Sequence, residues 1–340
     1  LYATLDPDAQ TMDIDYRNNF STKMPEERML YRPGMNYQPR NKYVLQYYPT
    51  VHYLDKDGYM PGFNFIKTYS NLENIESSFN LGTKTKKVFY SINGWTKTPH
   101  RTIDQFNFQI YNFGGVEGIA MRILKKINAD NFENGLKQIE FGFYWNQVKD
   151  TARTHLYDEG SLIVNSTKMR SSFASINSEL SFDFTPFQSS DWSFNRITLT
   201  NSFDQKFGLL GGRFRHVYGQ IWSNQDGVPL QERYNVEGAG SGDLYQKSYL
   251  RDKTSFYGNQ NFFGRYHMAG DANLRAFGNQ GFAGVEQVFA ITIEGFLSKS
   301  IAGINLELAG FIDQGTLSGS KFVLGDKGFD GNTLVDYGIE

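Results

Sequence analysis

The chain has 340 residues, a formal net charge of −2, no Cys, and aromatic side chains at 16% of positions, among them 29 Phe and 21 Tyr. The lack of Cys excludes disulfide frameworks, thiolate zinc sites and a Cys nucleophile, and a near-neutral chain with no basic run between aromatics points away from nucleic acid. No stretch approaches 18 consecutive apolar residues, which excludes helical membrane spans, yet a mean hydropathy of −0.50 accompanies more rings than a soluble core needs. An outer-membrane barrel has that combination, because its lipid face is apolar with aromatic girdles while its lumen stays polar.

In chain order, the start Leu1-Tyr2-Ala3-Thr4 has neither a basic n-region nor an apolar h-region, so the chain is expected to be a piece of a longer precursor. Residues 1–40, with Asp6-Pro7-Asp8, Asp13-Ile14-Asp15 and then Pro25, Pro33 and Pro39, read as the end of an upstream periplasmic domain plus a linker, since Pro fixes φ and denies ladder donors. Residues 41–340 are expected to form the barrel. From Tyr43 on, side chains alternate with period two, the mark of a sheet with unlike faces. Phe106, Phe108 and Ile110 alternate with Gln105, Asn107 and Gln109; Ile139, Phe141, Phe143 and Trp145 with Glu140, Gly142, Tyr144 and Asn146; Leu180, Phe182 and Phe184 with Glu179, Ser181 and Asp183.

Short polar turns at 54–58 and 82–86 join neighbouring strands as antiparallel hairpins. The pattern predicts strands near 43–54, 58–69, 73–83, 86–97, 102–112, 116–126, 135–148, 170–185, 191–203, 208–221, 246–258, 286–298, 303–314 and 332–340. The expected fold is therefore an all-β, antiparallel transmembrane β-barrel with about 14 strands. Segments 149–169 and 222–285 are too long for turns and read as loops. A bacterial barrel closes with an even strand count, and the last strand stops mid-run at Glu340.

Other candidates have plain readings. No two of His52, His100, His155, His216 and His267 stand at ligand spacing, so no metal or other cofactor is expected. Gly238 to Gly242 lacks the strand and Lys-Ser/Thr of a phosphate cradle, and no G-x-S-x-G elbow is present; the chain itself is not expected to be an enzyme. Trp95, Trp145, Trp192 and Trp222 fall near predicted strand ends and read as girdle residues. Pro49 interrupts the first predicted strand, which fits a labile seam open to β-augmentation and equally fits an irregular edge.

The run Gly270-Asp271-Ala272-Asn273-Leu274-Arg275-Ala276-Phe277 resembles the "(V/L)-R-G-(F/Y)" loop motif of the outer-membrane assembly and translocation superfamily, the group of BamA, TamA, mitochondrial Sam and two-partner secretion pores. Ala276 stands where the family has Gly. Thr292-Ile293-Glu294 and then Phe311-Ile312-Asp313-Gln314-Gly315 follow at the family's order and resemble its next two strands. The resemblance implies sixteen strands, two of them absent from this chain, with the motif loop between the eleventh and twelfth. Parity places Ile293 and Ile312 toward lipid and Glu294 and Asp313 in the lumen, which predicts an Arg275 to Asp313 salt bridge, with Glu294 nearby, pinning the loop inside. A solvated loop Arg is the alternative. Gly270, Leu274, Phe277, Phe311 and Gly315 support the motif. Near the start, Asp6 to Asn19 resembles the tail of zinc aminopeptidase-like proteins that some Bacteroidetes-type bacteria fuse to such barrels, and equally a polar linker; the zinc motif H-E-x-x-H is absent from this chain.

Three functions follow as expectations for a bacterial outer-membrane protein. The first is a barrel that inserts or exports polypeptides with a loop-plugged lumen, its partners being outer-membrane lipid, a client polypeptide and accessory subunits. The second is the anchor or conduit of a larger protein with an upstream peptidase-like domain. The third is a diffusion porin.

Overall fold

In a computed structural model, the structure describes residues 27–31, 43–54, 57–98, 102–113, 115–127, 136–149, 158–173, 175–186, 190–223, 227–234, 285–301, 304–318 and 333–339. Within them lie fifteen strands: β1 (Glu27–Tyr31), β2 (Tyr43–Leu54), β3 (Gly58–Tyr69), β4 (Glu73–Leu81), β5 (Val88–Lys97), β6 (Gln105–Phe113), β7 (Val116–Ile127), β8 (Leu136–Val148), β9 (Gly160–Phe173), β10 (Ile176–Phe184), β11 (Phe194–Phe207), β12 (Leu210–Ser223), β13 (Gln287–Ile301), β14 (Ile304–Ser318) and β15 (Thr333–Ile339). The chain divides into two compact units, Leu1–Leu124 and Lys125–Glu340. In the first, β2 to β7 pair with their sequence neighbours as an antiparallel meander, and β1 adds to β2 in parallel. In the second, β8 to β15 form another antiparallel meander. No described helix is long and apolar enough to cross a membrane.

Both meanders have the two faces that the alternation predicts. On β8, Phe141 and Phe143 are exposed while Glu140 and Asn146 are buried; on β14, Leu306, Leu308 and Ile312 are each more than half exposed while Asp313 is fully buried. A water-soluble sheet buries its Phe and Leu row and exposes its carboxylates. Here the rows are exchanged, and a face this apolar over so many strands requires an oily surrounding. The fold class expected from the sequence, an all-β antiparallel wall of transmembrane-barrel type, is the one the chain adopts. Strands β2 to β14 have 9 to 15 residues, enough for a tilted strand to cross a bilayer.

Turns differ sharply between the two ends of the second unit. Two residues suffice between β9 and β10, β11 and β12, and β13 and β14, whereas 149–159, 185–193, 224–286 and 319–332 connect strands at the other end. At the tight end Gly208 adopts φ +64, a left-handed conformation that a side chain resists.

Several expected boundaries are corrected. Residues 160–173 form β9, not a loop, and 170–185 is not one strand but the end of β9, a two-residue turn and β10. The two residues between β9 and β10, Ala174 and Ser175, include no Gly, Pro, Asn or Asp, and Ser alone is a weak turn signal. On β9 the outward positions include Asn165, Thr167 and Ser171 beside Ile163, Met169 and Phe173, which dilutes the apolar alternation. A strand at 246–258 does not stand between 208–221 and 286–298, because β12 pairs directly with β13 from Leu210↔Leu297 to Gln220↔Gln287; residues 246–258 themselves lie outside the described residues. Counted from β2, β13 is still the twelfth strand, since the strand gained at 160–173 offsets the one removed. The segment 224–286 therefore joins the eleventh and twelfth strands.

The Trp reading also changes. Trp222 at the end of β12 is half exposed on the apolar face, and Trp145 shares that face. Trp95 pairs with Asn74 and Asn107 on the polar face, and Trp192 packs on a buried core.

Candidate functional site

The inner face of the second unit is the side on which residues 227–234 pack. Toward the long-loop end it carries a buried apolar cluster: Leu162, Val164, Phe194, Val217, Ile221, Val288 and Ala290 from the strands, and Val228, Tyr234 and Val285 from the two roots of the 224–286 segment. The roots pair with each other, Tyr234 and Val285 exchanging two backbone hydrogen bonds of 2.9 Å, while the Ile221 N–H donates to the Glu286 carbonyl at 2.8 Å. Gly219 lets the first root approach closely, since a Cβ there would lie 2.4 Å from the Tyr234 ring. The Tyr234 hydroxyl donates to the Ile197 carbonyl at 2.7 Å and lies 2.8 Å from Thr198 Oγ1.

Within this root, Pro229 presets φ for a 3-10 turn, Leu230–Glu232, which delivers Glu232 into the strand wall. Asp183 on β10 and Arg196 on β11 are register partners, so parity sends both inward. The Arg196 guanidinium donates from Nε to Asp183 Oδ2 at 2.8 Å, with Nη2 also 2.8 Å from that oxygen. Its Nη1 donates to the Glu232 carbonyl at 2.7 Å and lies 3.2 Å from Glu232 Oε2. The Tyr144 hydroxyl of β8 donates to the same carboxylate oxygen at 2.9 Å. Arg196, Asp183 and Glu232 are all buried, and in such surroundings charge-assisted, geometrically forked bonds fix position more than they add net stability. Gln231 clasps the backbone of Asp158, accepting from its N–H at 2.9 Å and donating to its carbonyl at 3.2 Å. Arg233 pairs with Glu286 at 2.9 Å, tying one root to the other. The arrangement clamps both ends of a long segment onto the inner wall.

Below the clamp, toward the tight turns, lies a cavity of about 500 Å3 lined by Lys168, Arg170, Glu179, Thr200, Ser202 and Arg215 among others. Its charges are cross-linked: Arg170 Nε donates to Glu179 at 2.5 Å and its Nη1 lies 3.4 Å from Glu140. Nearer the tight turns, Arg213 contacts Glu294 and Glu307 at 2.5 Å and Asp204 at 3.2 Å, its guanidinium 4.1 Å from the Phe296 ring centre.

Of the residues expected from sequence, Glu294 and Asp313 are both buried and share the inner face of β13 and β14, where the register Thr292↔Asp313 and Glu294↔Phe311 makes them diagonal neighbours. Phe311 and Gly315 lie on the same face by parity. Arg275, Gly270, Leu274 and Phe277 lie outside the described residues, and so does the expected Arg275 to Asp313 bridge. Among the described residues Glu294 has a partner that the sequence does not assign, Arg213 of β12. Pro49 is exposed in β2 opposite Phe63 of β3. The Asp6 to Asn19 stretch is likewise outside the described residues. Among the described residues no group of three or more His, Asp or Glu is placed to hold a metal. The Arg196 clamp was missed; its one sequence signal is that Asp183 and Arg196 are charges at inward positions of otherwise lipid-facing strands.

No known protein family pattern matches the chain, and no curated protein matches it. Among solved structures it is similar to the crystal structure of BamA from Haemophilus ducreyi lacking POTRA domains 1–3, with 10% identity over 81% of this chain and a TM-score of 0.39. The similar region spans 57% of that structure's chain.

Proposed function

We propose that the chain is a barrel of the outer-membrane protein assembly and translocation superfamily, handling polypeptide insertion or export through a lumen occupied by its own long segment, without covalent chemistry of its own. The observation that carries this reading is the clamp of Arg196, Asp183, Glu232 and Tyr144, which holds the 224–286 segment at its roots on the inner wall. A diffusion porin needs an unobstructed passage; a buried apolar cluster and a buried ionic clamp at the roots of the 224–286 segment favour occlusion instead. The partners are then outer-membrane lipid on the apolar face and an extended client polypeptide. In the same reading Arg275 reaches the Glu294 and Asp313 wall and pins the tip of the segment whose roots the clamp holds.

Reconstitution into vesicles of outer-membrane lipid tests it. The full chain is expected to speed the folding of a urea-denatured β-barrel client severalfold over empty vesicles, and to give low, flickering conductance that Glu232→Ala raises. Steady wide conductance of the wild type, with no effect on client folding, would mean a porin.

A further inference from the structure

The cavity below the clamp has a volume of about 500 Å3, within the ~300–1,000 Å3 range of small-molecule sites, but its chemistry is unlike theirs. Such sites are lined mainly by apolar side chains. Here Val217 is the one aliphatic residue among the described lining residues, and nearly all the others carry hydroxyl, amide or charged groups. Strand register lays these out in order. Lys168 and Arg170 of β9 stand opposite Ser181 and Glu179 of β10, these opposite Thr198 and Thr200 of β11, and Arg215 of β12 faces Ser202 of β11. Cations therefore rise from β9 and from β12, three strand spacings or roughly 14 Å apart, on either side of a floor of Ser and Thr hydroxyls.

The β9 cations keep donors in reserve. Arg170 meets Glu179 through Nε and Glu140 through Nη1, which leaves Nη2 over among the described residues. The Lys168 ammonium lies 3.8 Å from the Glu179 carboxylate, too far for a hydrogen bond. Arg196 is matched by Asp183 and Glu232 within the clamp; of the remaining charges, Lys168, Arg170 and Arg215 stand against Glu179 and Glu140, three cations to two carboxylates. The hydroxyls of Ser181, Thr200 and Ser202 make no side-chain hydrogen bond among the described residues.

We propose that this cavity binds a hydroxylated organic anion, an acidic sugar of one or two rings. Its carboxylate is taken by Lys168 and the Nη2 edge of Arg170 in charge-assisted bonds, its ring hydroxyls by Ser181, Thr200 and Ser202, and its far end by Arg215. Hydroxyl side chains both donate and accept, which a saccharide ring matches and a bare inorganic anion does not. The inner wall is the face away from the exposed Phe and Leu rows, so the ligand is a water-borne solute and not a lipid headgroup. The site goes beyond the polypeptide-handling reading and does not depend on it.

Calorimetric titration of the full chain, folded in vesicles of outer-membrane lipid, with D-glucuronate, D-glucose, acetate and inorganic phosphate at constant ionic strength tests this. Glucuronate is expected to bind saturably and at least tenfold tighter than glucose, which lacks the charge, and than acetate and phosphate, which lack the ring hydroxyls. Arg170→Gln is expected to weaken glucuronate at least tenfold and Ser202→Ala about threefold, whereas Lys206→Gln, at the exposed end of β11, changes it less than twofold. Acetate or phosphate bound as tightly as glucuronate would reduce the cavity to unselective charge attraction and overturn the proposal. Glucuronate binding that fails to saturate, or that Arg170→Gln leaves unchanged, would overturn it too. Heat-modifiable migration shows which variants are folded. If Arg170→Gln is not, the near-isosteric Thr200→Val, which keeps every charge, takes its place: a loss of about fivefold supports the site, and unchanged binding refutes it.

Discussion

Removing the Arg196 side chain leaves Asp183 and Glu232 facing each other in a buried site with their cation gone. Breaking a buried pair by deleting one partner typically costs ~3–5 kcal/mol, so Arg196→Met is expected to lower stability by that order, measured by denaturant unfolding followed through heat-modifiable migration. Adding Glu232→Gln to Arg196→Met is expected to restore part of the loss, because one uncompensated charge is then removed. A change under about 0.5 kcal/mol, the size of an ordinary surface substitution, would show that the clamp is solvated. At this scale the sequence was legible wherever parity alone decides direction: Glu294 and Asp313 face inward and Ile293 and Ile312 outward, as period two demands. Partnerships were less legible. Asp183 meets Arg196 only because the β10 and β11 register sets them opposite, and Glu232 arrives from outside the meander on a 3-10 turn, so neither contact is written in local spacing.

At the scale of the strand, each apolar row faces hydrocarbon, and a cation placed there must be dehydrated. Leu308→Arg, at a position 57% exposed in β14, is expected to cost about 2–4 kcal/mol in a bilayer if it sits at mid-depth. Ala309→Ser on the opposite face is expected to cost far less. Folding yield into lipid vesicles measures both, and equal tolerance at the two positions would contradict the assignment of faces. Strand existence was readable because hairpins such as 54–58 carry Asp, Lys and Gly, and because the Phe and Leu rows of β8, β10 and β14 alternate cleanly. It failed between 149 and 185, where the outer row of β9 is half polar and the connection into β10 offers only Ser175 as a weak turn signal. Cross-strand pairing with β8 and β10 sustains β9 despite its composition, and such tertiary support is invisible in one strand's pattern.

At the scale of the molecule, the second unit has tight turns at one end and long connections at the other. In outer-membrane barrels short turns face the periplasm and long loops the exterior, which gives an orientation to the proposed membrane protein. With no native Cys, Ser223→Cys at the long-loop end is expected to react with an impermeant maleimide on intact cells, and Leu209→Cys at a tight turn only after the outer membrane is opened. The reverse order would invert the orientation. The overall class was legible from ring content and period two together. The way the 224–286 segment anchors was not, because its two roots, Tyr234 and Val285, are 51 residues apart in sequence and meet beside the β12–β13 pairing.

That asymmetry of ends has a consequence for biogenesis. A chain delivered from the side of its tight turns must send the whole of 224–286 ahead of it through oil, with Asp226, Glu232, Arg233, Glu237 and Asp243 among its ionisable groups, and each bare charge in hydrocarbon costs several kcal/mol. Unassisted entry should therefore be limited by this hydrophilic cargo and not by strand pairing. Thinner or defect-rich bilayers should shorten the lag before native migration appears, and shortening the cargo should do the same in a bilayer of ordinary thickness.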